Sequence, residues 1–400
     1  MNRKRCLTAV LGLSLSLSLT AASWGASPAK NANVVGEYQI LATTAGGLQG
    51  MQAPYMLRLD ARGTPGDREQ KAVHAIPAGM KMGKELPLIR PDRPAAQGTA
   101  NNVPQEQQNW TLKIYWGSSK TVQKGQPLVI SPQDMKSGKG KFAELAGGAG
   151  VWKGEPPSGW GWGEWPNKQS SIPVPAGASL RGGHQVTGGY LPDIQFSMDR
   201  HDFLPPLSVK TGGDVNSSIS LSWSPVKGAA GYFVSAVAAN QAKKETIIWT
   251  SSSRASMGMQ THEHSSRINE LVSSGVVMGP DKSAADVPAG IFAGCEGVML
   301  MASAWGEDYW ASYPPRPANA PKNWKPDWTV NALFLSTWTG MPGVDVEAMS
   351  RGMGGGDYQK YQQKYQEEAD EQDKQGEEKQ QKQKQQKKPG LRLPVPGFKF

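Results

Sequence analysis

The sequence predicts an all-β fold with two β-sandwich domains, followed by a Pro-rich linker and a polar, helical or disordered C-terminal tail. Between residues 34 and 200 apolar residues recur with a period of two, as in half-buried strands, and no helical period of any length occurs. The chain contains 47 Gly and 30 Pro, which is typical of short strands joined by many turns. Residues 357–388 are almost entirely Gln, Lys, Glu and Asp, a composition that cannot form a packed core.

Residues 1–25 have the pattern of a cleaved secretory signal peptide. Arg3, Lys4 and Arg5 give a positively charged start, an apolar segment covers residues 7–19, and small residues follow. The apolar segment is shorter than the roughly 20 residues that a membrane-spanning helix needs, and no other stretch approaches that length. We therefore expect an exported protein without a transmembrane helix, located in the periplasm or outside the cell. The pattern leaves open whether the protein associates with the envelope.

The first predicted domain, residues 34–200, is sandwich-like with long loops. Apolar and other residues alternate at residues 55–59 and 110–116, which predicts two half-buried strands. A Pro- and Gly-rich stretch at residues 64–102 contains only short apolar islands and predicts loops. Further short strands are predicted at residues 128–130, 179–180, 185–187 and 193–198.

The second predicted domain, residues 205–315, contains a pair of strands with a distinctive pattern. A strand that ends in Trp223-Ser224-Pro225-Val226 is followed by a short Gly/Ala turn and then by Tyr232-Phe233-Val234. This pattern resembles the B and C strands of fibronectin type III modules, over about a quarter of the chain. The resemblance implies an immunoglobulin-like sandwich that serves as a binding or spacer module.

From the same resemblance we expect Trp223, Tyr232 and Val234 to lie in one sandwich core. The chain departs from the family in two places. It has a long insertion at residues 251–286, and Phe292 stands where many such modules have Tyr.

The remaining C-terminal part divides into three predicted segments. Residues 316–356 form a Pro- and Gly-rich linker, although the apolar residues 330–338 within it are suited to pack back onto a domain. Residues 357–388 form a low-complexity segment that is helical or disordered, and residues 389–400 form the end of the tail. We expect the low-complexity segment to be an exposed, partly frayed helix that makes few contacts with the β domains.

Charge and cysteine content limit the range of partners and bonds. The net charge of +9 is spread thinly, so it favours weak attraction to anionic surfaces, and we expect no nucleic-acid partner. Cys6 leaves with the signal peptide, so Cys295 is the single cysteine of the mature chain and no intramolecular disulfide forms. We interpret Cys295 as a buried core thiol.

The best ligand-binding candidate is a group of tryptophans in a Gly/Pro-rich segment, Trp152, Trp160, Trp162 and Trp165. Exposed Trp rings on a loop stack against sugars or anchor at a lipid interface. In that case at least two of the last three should be exposed. The alternative is that the rings fold back and cap an open end of the first sandwich.

The candidate metal ligands are His262 and His264, with Met257 and Met259 just upstream. On a strand, residues two apart face the same side, so both imidazoles are placed to hold one metal ion, and thioethers beside them suit copper. On one continuous strand the odd-numbered methionines would face the side opposite the even-numbered histidines. A turn or bulge would therefore be needed to bring all four side chains together. The alternative is a solvated, Ser-rich loop.

Sequence support for catalysis is weak. Nucleophile-elbow, metalloprotease, Walker and dinucleotide-binding patterns are absent from the sequence. Asp193, Asp199, His201 and Asp202 lie close together in sequence as a potential acid and base, but such residues at a domain junction are usually solvated or bonded in turns.

We therefore expect an exported, non-catalytic binding or structural protein of the envelope or extracellular space. Its partner would be an envelope component, either glycan or protein, and we expect no cofactor. The alternative is an envelope hydrolase or a protein that handles copper or zinc.

Overall fold

The computed structural model describes residues 35–50, 53–66, 69, 71–91, 110–137, 145, 156, 158–259, 261–295 and 297–344. The predicted signal peptide, Trp152 and the predicted segments 357–388 and 389–400 lie outside these residues. The described part is mostly β-strand, which confirms the predicted all-β class. No helix in it is long and apolar enough to cross a membrane.

Seventeen strands and three short α-helices are present among the described residues, together with one 3-10 turn (Ala78–Met80). The strands of the N-terminal half are β1 (Val35–Gly46), β2 (Tyr55–Thr64), β3 (Lys71–Ala75), β4 (Glu85–Ile89), β5 (Thr111–Trp116), β6 (Leu128–Ile130), β7 (Gly161–Trp165), β8 (Gly182–Gly188) and β9 (Ile194–Met198). The later strands are β10 (Val209–Gly212), β11 (Ile219–Trp223), β12 (Ala229–Asn240), β13 (Glu245–Thr250), β14 (Ala284–Val287), β15 (Val298–Gly306), β16 (Tyr309–Tyr313) and β17 (Trp328–Gly340). The helices are α1 (Gly47–Gly50), α2 (Pro132–Ser137) and α3 (Ser265–Ser273).

The described strands form two sheets. The large sheet has 14 strands, in the order β6-β5-β13-β12-β15-β17-β1-β2-β7-β4-β3-β8-β9, with β16 beside β17. The small sheet has the order β10-β11-β14. The large sheet curls, so that strands far apart in its order approach each other. The rings of Phe196 on β9 and Tyr309 on β16 lie 5.9 Å apart, between centroids.

Strand β17 joins the two halves of the chain. It pairs in parallel with β1, where Leu333 is opposite Leu41, and antiparallel with β15, where Trp338 is opposite Ala302. The two predicted domains therefore contribute strands to one continuous sheet. Residues 328–340, which the sequence analysis assigned to the linker, are instead the longest strand, because their apolar side chains bury both faces of a central strand.

The main hydrophobic core lies on one face of the large sheet, here called the inner face. Trp223, Tyr232 and Val234 belong to this core, with exposed fractions of 6%, 1% and 1%. The rings of Trp223 and Tyr232 lie 5.5 Å apart, between centroids, and the Tyr232 hydroxyl accepts a hydrogen bond from the backbone N–H of Val226 at 2.7 Å. The expectation that these three residues share a core is confirmed.

Helix α3 covers part of the opposite, outer face of the large sheet. Ile268 and Leu271, three residues apart on one side of the helix, pack in a second core against Phe233, Trp305 and Leu335. The predicted insertion at residues 251–286 thus contains a helix that seals the sheet.

Cys295 differs from its expected environment. It is a free cysteine that packs at the margin of the main core and is half-buried instead of buried. The residue lies between a turn and the start of β15, where part of its side chain still meets solvent.

Candidate functional site

The predicted tryptophan surface does not form at Trp162 and Trp165. Both residues belong to strand β7, and they are three positions apart, so their rings lie on opposite faces of the sheet. Trp162 is 4% exposed on the outer face, opposite Arg62, and Trp165 is 2% exposed within the main core. Trp160 is half-buried. The stacking surface required at least two of these three rings to be exposed, and this requirement is not met, because β7 is paired with β2 on one side and β4 on the other and is not a loop.

The predicted metal ligands make hydrogen bonds to different parts of the fold. The Nε2 atom of His262 donates to the carbonyl of Ala42 at 3.2 Å and lies 3.1 Å from Thr43 Oγ1. Burial lowers the pKa of His262 to about 4. His264 lies just before α3, and its Nδ1 atom is 3.0 Å from a carboxylate oxygen of Asp308.

The two methionines of the same hypothesis are also separated. Met257 packs beside the small core of Leu112 and Ile114, whereas Met259 packs beside the core under α3. Among the described residues, no group of three or more His, Cys, Asp and Glu side chains is placed to hold a metal ion.

Asp308 forms a Ser/His/Asp group whose order differs from that of a catalytic triad. Its carboxylate accepts hydrogen bonds from both His264 and Ser265. In a triad the histidine lies between the acid and the nucleophile, so that it can take the proton of the serine hydroxyl. Burial raises the pKa of Asp308, but the hydrogen bonds from Ser265 and His264 together lower it below the usual value. The carboxylate therefore links the residues at the start of α3.

The acidic residues near the domain junction also bond locally. Asp202 accepts hydrogen bonds from Ser179 Oγ at 2.6 Å and from the backbone N–H of Leu180 at 2.8 Å. Asp199 accepts one from Ser197, and Asp193 is exposed. His201 instead lies in an aromatic group, 5.4 Å from Tyr309 and 5.9 Å from Phe334 between ring centroids.

The interior of the curled sheet holds a chain of hydrogen-bonded side chains that the sequence analysis did not find. We call Tyr38, His74 and His184 the histidine chain. Tyr38 Oη lies 2.8 Å from His74 Nδ1, His74 Nε2 lies 2.9 Å from His184 Nδ1, and His184 Nε2 lies 2.7 Å from the carbonyl of Leu180. All three side chains are at most 3% exposed.

The direction of every bond in the histidine chain follows from its last acceptor. The Leu180 carbonyl can only accept, so His184 Nε2 carries a proton, and in a neutral ring its Nδ1 is then an acceptor. His74 therefore donates from Nε2 and accepts at Nδ1, where the Tyr38 hydroxyl donates. Both imidazoles are neutral in this arrangement.

Burial explains why the histidine chain stays neutral. Burial is the largest cause of the lowered pKa at both rings. The pKa of His74 lies well below its usual value, and the pKa of His184 falls to about 4. Phe196 stacks on His184 at 4.7 Å between ring centroids, with an angle of 5° between the rings. His74 and His184 are 110 residues apart in sequence, so no local spacing marks them as partners.

The outer face of the central strands carries a second polar group that sequence reasoning also missed. Asn331, Gln39, Asp60 and Glu164 are successive cross-strand neighbours on β17, β1, β2 and β7, and we call them the polar row. Neighbours paired in this way point to the same face of a sheet. All four residues are at most 6% exposed.

The carboxylates of the polar row are paired with arginine. Arg58 Nε lies 2.9 Å from Asp60 Oδ2, and an Arg58 terminal nitrogen lies 3.5 Å from Glu164 Oε2. In the next row, Glu37 lies opposite Arg62. Burial raises the pKa of Glu37 and the charge of Arg62 opposes that rise, while burial lowers the pKa of Arg62.

The amides of the polar row differ from the carboxylates. Within the described part of the protein, Gln39 Oε1 and Asn331 Oδ1 are buried and accept no hydrogen bond. Such atoms are rare in native proteins, because leaving a buried acceptor without a donor costs free energy. Asn331 is also the cross-strand neighbour of Trp310, whose side chain is 61% exposed.

Comparison with models of known protein families finds no match for this chain. Comparison with curated proteins finds none either.

Proposed function

We propose that this chain is an exported, non-catalytic binding or structural protein that works in the envelope or outside the cell. The observation that carries the proposal is a contrast between its two kinds of polar group. In the histidine chain and around Asp308, the His, Asp and Ser side chains suited to acid–base or nucleophilic chemistry are bonded to each other or to the backbone within the fold. The outer face instead has the exposed Trp310 beside buried amide oxygens that have no donor among the described residues.

The arrangement of the later strands supports a binding or spacer module. The small sheet β10-β11-β14 packs on the large sheet through Trp223 and Tyr232, and β12, β15 and β17 are neighbours there. A sandwich of this kind, in which a Trp from one sheet packs on a Tyr from the other, agrees with a fibronectin type III-like module. In this proposal β17 supplies one strand of the module. The module therefore extends beyond residue 315, the end predicted from the sequence, to include residues 328–340.

The export signal supports an envelope or extracellular location. Fractionation of cells that produce the full chain tests this part of the proposal. We expect the mature protein in the periplasmic, envelope or medium fractions, with the signal peptide removed. Accumulation of an uncleaved chain in the cytoplasm would contradict it.

Cross-linking of the exported protein in living cells tests the binding role. Trp310 would be replaced by a photo-reactive amino acid, and Val129, a 52% exposed residue on the short strand β6, would be the matched position. We expect cross-links to one envelope component from position 310 and not from position 129. Equal, unselective cross-linking from both positions would contradict a binding role for this face.

The alternative functions have their own direct test. Metal analysis of the purified mature protein should find no stoichiometric copper or zinc. A metal content near one ion per chain, lost when His262 is replaced by Ala, would replace the proposed function by metal handling.

A further inference from the structure

We propose that Asn216 is a modification site, at which the exported chain carries a glycan on the side-chain amide nitrogen. The donor in this proposal is an oligosaccharide joined to a lipid diphosphate, and a transferase of the envelope moves the sugar to the protein. The inference goes beyond the proposed binding role and depends only on the export of the chain.

The acceptor pattern occurs at two asparagines of the chain. Asn109 is followed two positions later by Thr111, and Asn216 by Ser218, with no proline between them. Asn-x-Ser/Thr is the acceptor pattern of N-linked glycans in exported proteins, where it is expected on surface loops. The surroundings of each asparagine therefore determine which of the two is suited to hold a glycan.

Asn216 lies at the tip of the loop that joins β10 to β11. The backbone N–H of Ser217 donates to the carbonyl of Asp214 at 3.2 Å, so Val215 and Asn216 are the corner residues of a β-turn. A carboxylate oxygen of Asp214 accepts hydrogen bonds from the backbone N–H of Asn216 at 2.8 Å and of Ser217 at 3.0 Å. The turn is therefore held by Asp214 and by the backbone, without the side-chain amide of Asn216.

The amide of Asn216 is accessible in the folded chain. Its side chain is exposed, and it makes no hydrogen bond to any other residue in the described part of the protein. Asp214 and Ser217 beside it are exposed as well. A glycan on the amide nitrogen would thus extend into solvent and displace no described contact.

Ser218 supplies the hydroxyl group that the acceptor pattern requires. In the folded chain this hydroxyl donates to the carbonyl of Val287 on β14 at 2.8 Å, and the residue is half-buried. A transferase that recognises the hydroxyl must reach it before β11 pairs with β14. Export provides that state, because the chain emerges from the membrane before it folds.

The transfer forms one bond and breaks one. The amide nitrogen of Asn216 attacks the anomeric carbon of the donor sugar, and the bond from that carbon to the diphosphate oxygen breaks. The amide loses one proton to a basic group of the transferase, and the lipid diphosphate leaves with the electron pair of the broken bond. No group is oxidised or reduced.

The second acceptor pattern lies beside a segment that is built into the large sheet. Asn109 itself is outside the described residues, but the two residues that complete its pattern are described. Trp110 is 9% exposed, and Thr111 begins β5, where it is the cross-strand neighbour of Glu245 on β13. These surroundings favour Asn216 over Asn109 as the residue that carries the glycan.

Mass spectrometry of the mature protein, purified from the cells that naturally produce it, tests this inference. We expect a mass above that of the polypeptide, with the whole excess on the peptide that contains Asn216. Asn216→Gln should remove the excess completely. Asn109→Gln is the matched control and should keep it.

Two substitutions of Ser218 test whether the acceptor pattern is what the transferase recognises. Ser218→Thr keeps the hydroxyl group and should keep the glycan, whereas Ser218→Ala should lose it. Ser218→Ala also removes the hydrogen bond to Val287, so its melting temperature is measured in parallel. Asn216→Gln keeps that bond and separates loss of the glycan from any loss of stability. A glycan that remains in Ser218→Ala would contradict the inference.

The remaining outcomes distinguish this inference from the proposed function. An exported mature protein with the mass of the polypeptide alone, or with its glycan on another residue, would overturn the modification site and leave the proposed function standing. Unselective cross-linking from position 310 in a chain that carries a glycan on Asn216 would overturn the binding role and leave the modification site standing. An uncleaved, unmodified chain in the cytoplasm would contradict both.

Discussion

The histidine chain shows how burial decides the state of a side chain. His74 and His184 are neutral because the sheet around them excludes water, and the carbonyl of Leu180 then fixes the position of every proton along the chain. An uncharged, one-directional set of hydrogen bonds in a buried site stabilises a single arrangement of strands β1, β3 and β8. We therefore expect the histidine chain to make the stability of the fold sensitive to acid.

We expect the free energy of unfolding to fall as the pH drops from about 6.5 towards 4. The pKa of His184 is lowered to about 4 in the folded protein, whereas a histidine in the unfolded chain titrates near 6.5. Between these pH values the unfolded state binds more protons than the folded state. The stabilisation contributed by the neutral histidine is therefore fully present above pH 6.5 and is lost progressively as the pH falls towards 4. The part of the loss due to His184 should amount to about 3 kcal/mol at most, because each pKa unit corresponds to about 1.4 kcal/mol.

Urea unfolding at a series of pH values measures this dependence. The variant His184→Gln keeps a polar side chain but removes the titrating ring, so its unfolding free energy should vary less between pH 4 and 6.5. His74 and His262 also have lowered pKa values, so a residual dependence is expected in this variant. An unchanged slope would show that His184 is not part of the acid response.

Trp223 gives a second prediction at the scale of single residues. Its ring is 6% exposed in the main core and packs on Tyr232, so Trp223→Ala leaves a cavity between the two sheets. We expect a loss of about 3–5 kcal/mol in the free energy of unfolding. Trp310→Ala, which removes an exposed ring, should change it by about 0.5 kcal/mol or less. Equal losses in the two variants, measured by urea unfolding, would contradict the assigned core.

At the scale of elements, close packing between strands explains one of the two glycines of β7, Gly163. A Cβ atom built at Gly163 would lie 2.7 Å from the carbonyl oxygen of Leu88 and 2.8 Å from the hydroxyl of Tyr190. Gly163 thus allows β4 and the buried Tyr190 to approach β7. The same glycines made the segment look like a loop in the sequence.

Two glycine variants test this packing. Gly163→Ala should lower the free energy of unfolding by about 1–3 kcal/mol, because the added carbon overpacks the contact. Gly183 lies on β8, where a Cβ atom would meet nothing within 4 Å, so Gly183→Ala is the matched control and should be neutral or slightly stabilising. The same loss in both variants would mean that the backbone, and not the packing, requires these glycines.

The sequence contained enough information to predict strands that carry a clear apolar pattern. Strands β2, β5 and β12 were predicted because apolar positions in them alternate or form a known pattern. Strand β17 was assigned to a linker because Pro-rich residues precede it and its parallel partner, β1, is about 290 positions away in sequence. Helix α3 was missed because its apolar positions are few and its segment is rich in Ser.

The candidate sites were harder to predict than the strands, for a related reason. The polar row takes one residue from each of four strands, from Gln39 to Asn331, and no short motif connects them. His262 and His264 are close in sequence but bond to β1 and to Asp308 respectively. Proximity along the chain is therefore a poor guide to these groups, because pairing between distant strands creates them.

At the scale of the whole molecule, the sheet joins what the sequence analysis separated. Strand β17 bonds to β1 from the N-terminal half and to β15 from the C-terminal half, and β5 pairs with β13 in the same way. The main core contains residues from both halves. The polar row exists only because β17, β1, β2 and β7 lie side by side.

Differential scanning calorimetry of the mature protein tests the continuity of the sheet most directly. We expect one cooperative transition whose calorimetric and van't Hoff enthalpies agree, because neither half has a complete core without β17. A chain ending at residue 344 should keep this transition, whereas a chain ending at residue 327 should lose it in both halves. Two independent transitions in the mature protein, or a chain ending at 327 that keeps the N-terminal half folded, would contradict the account.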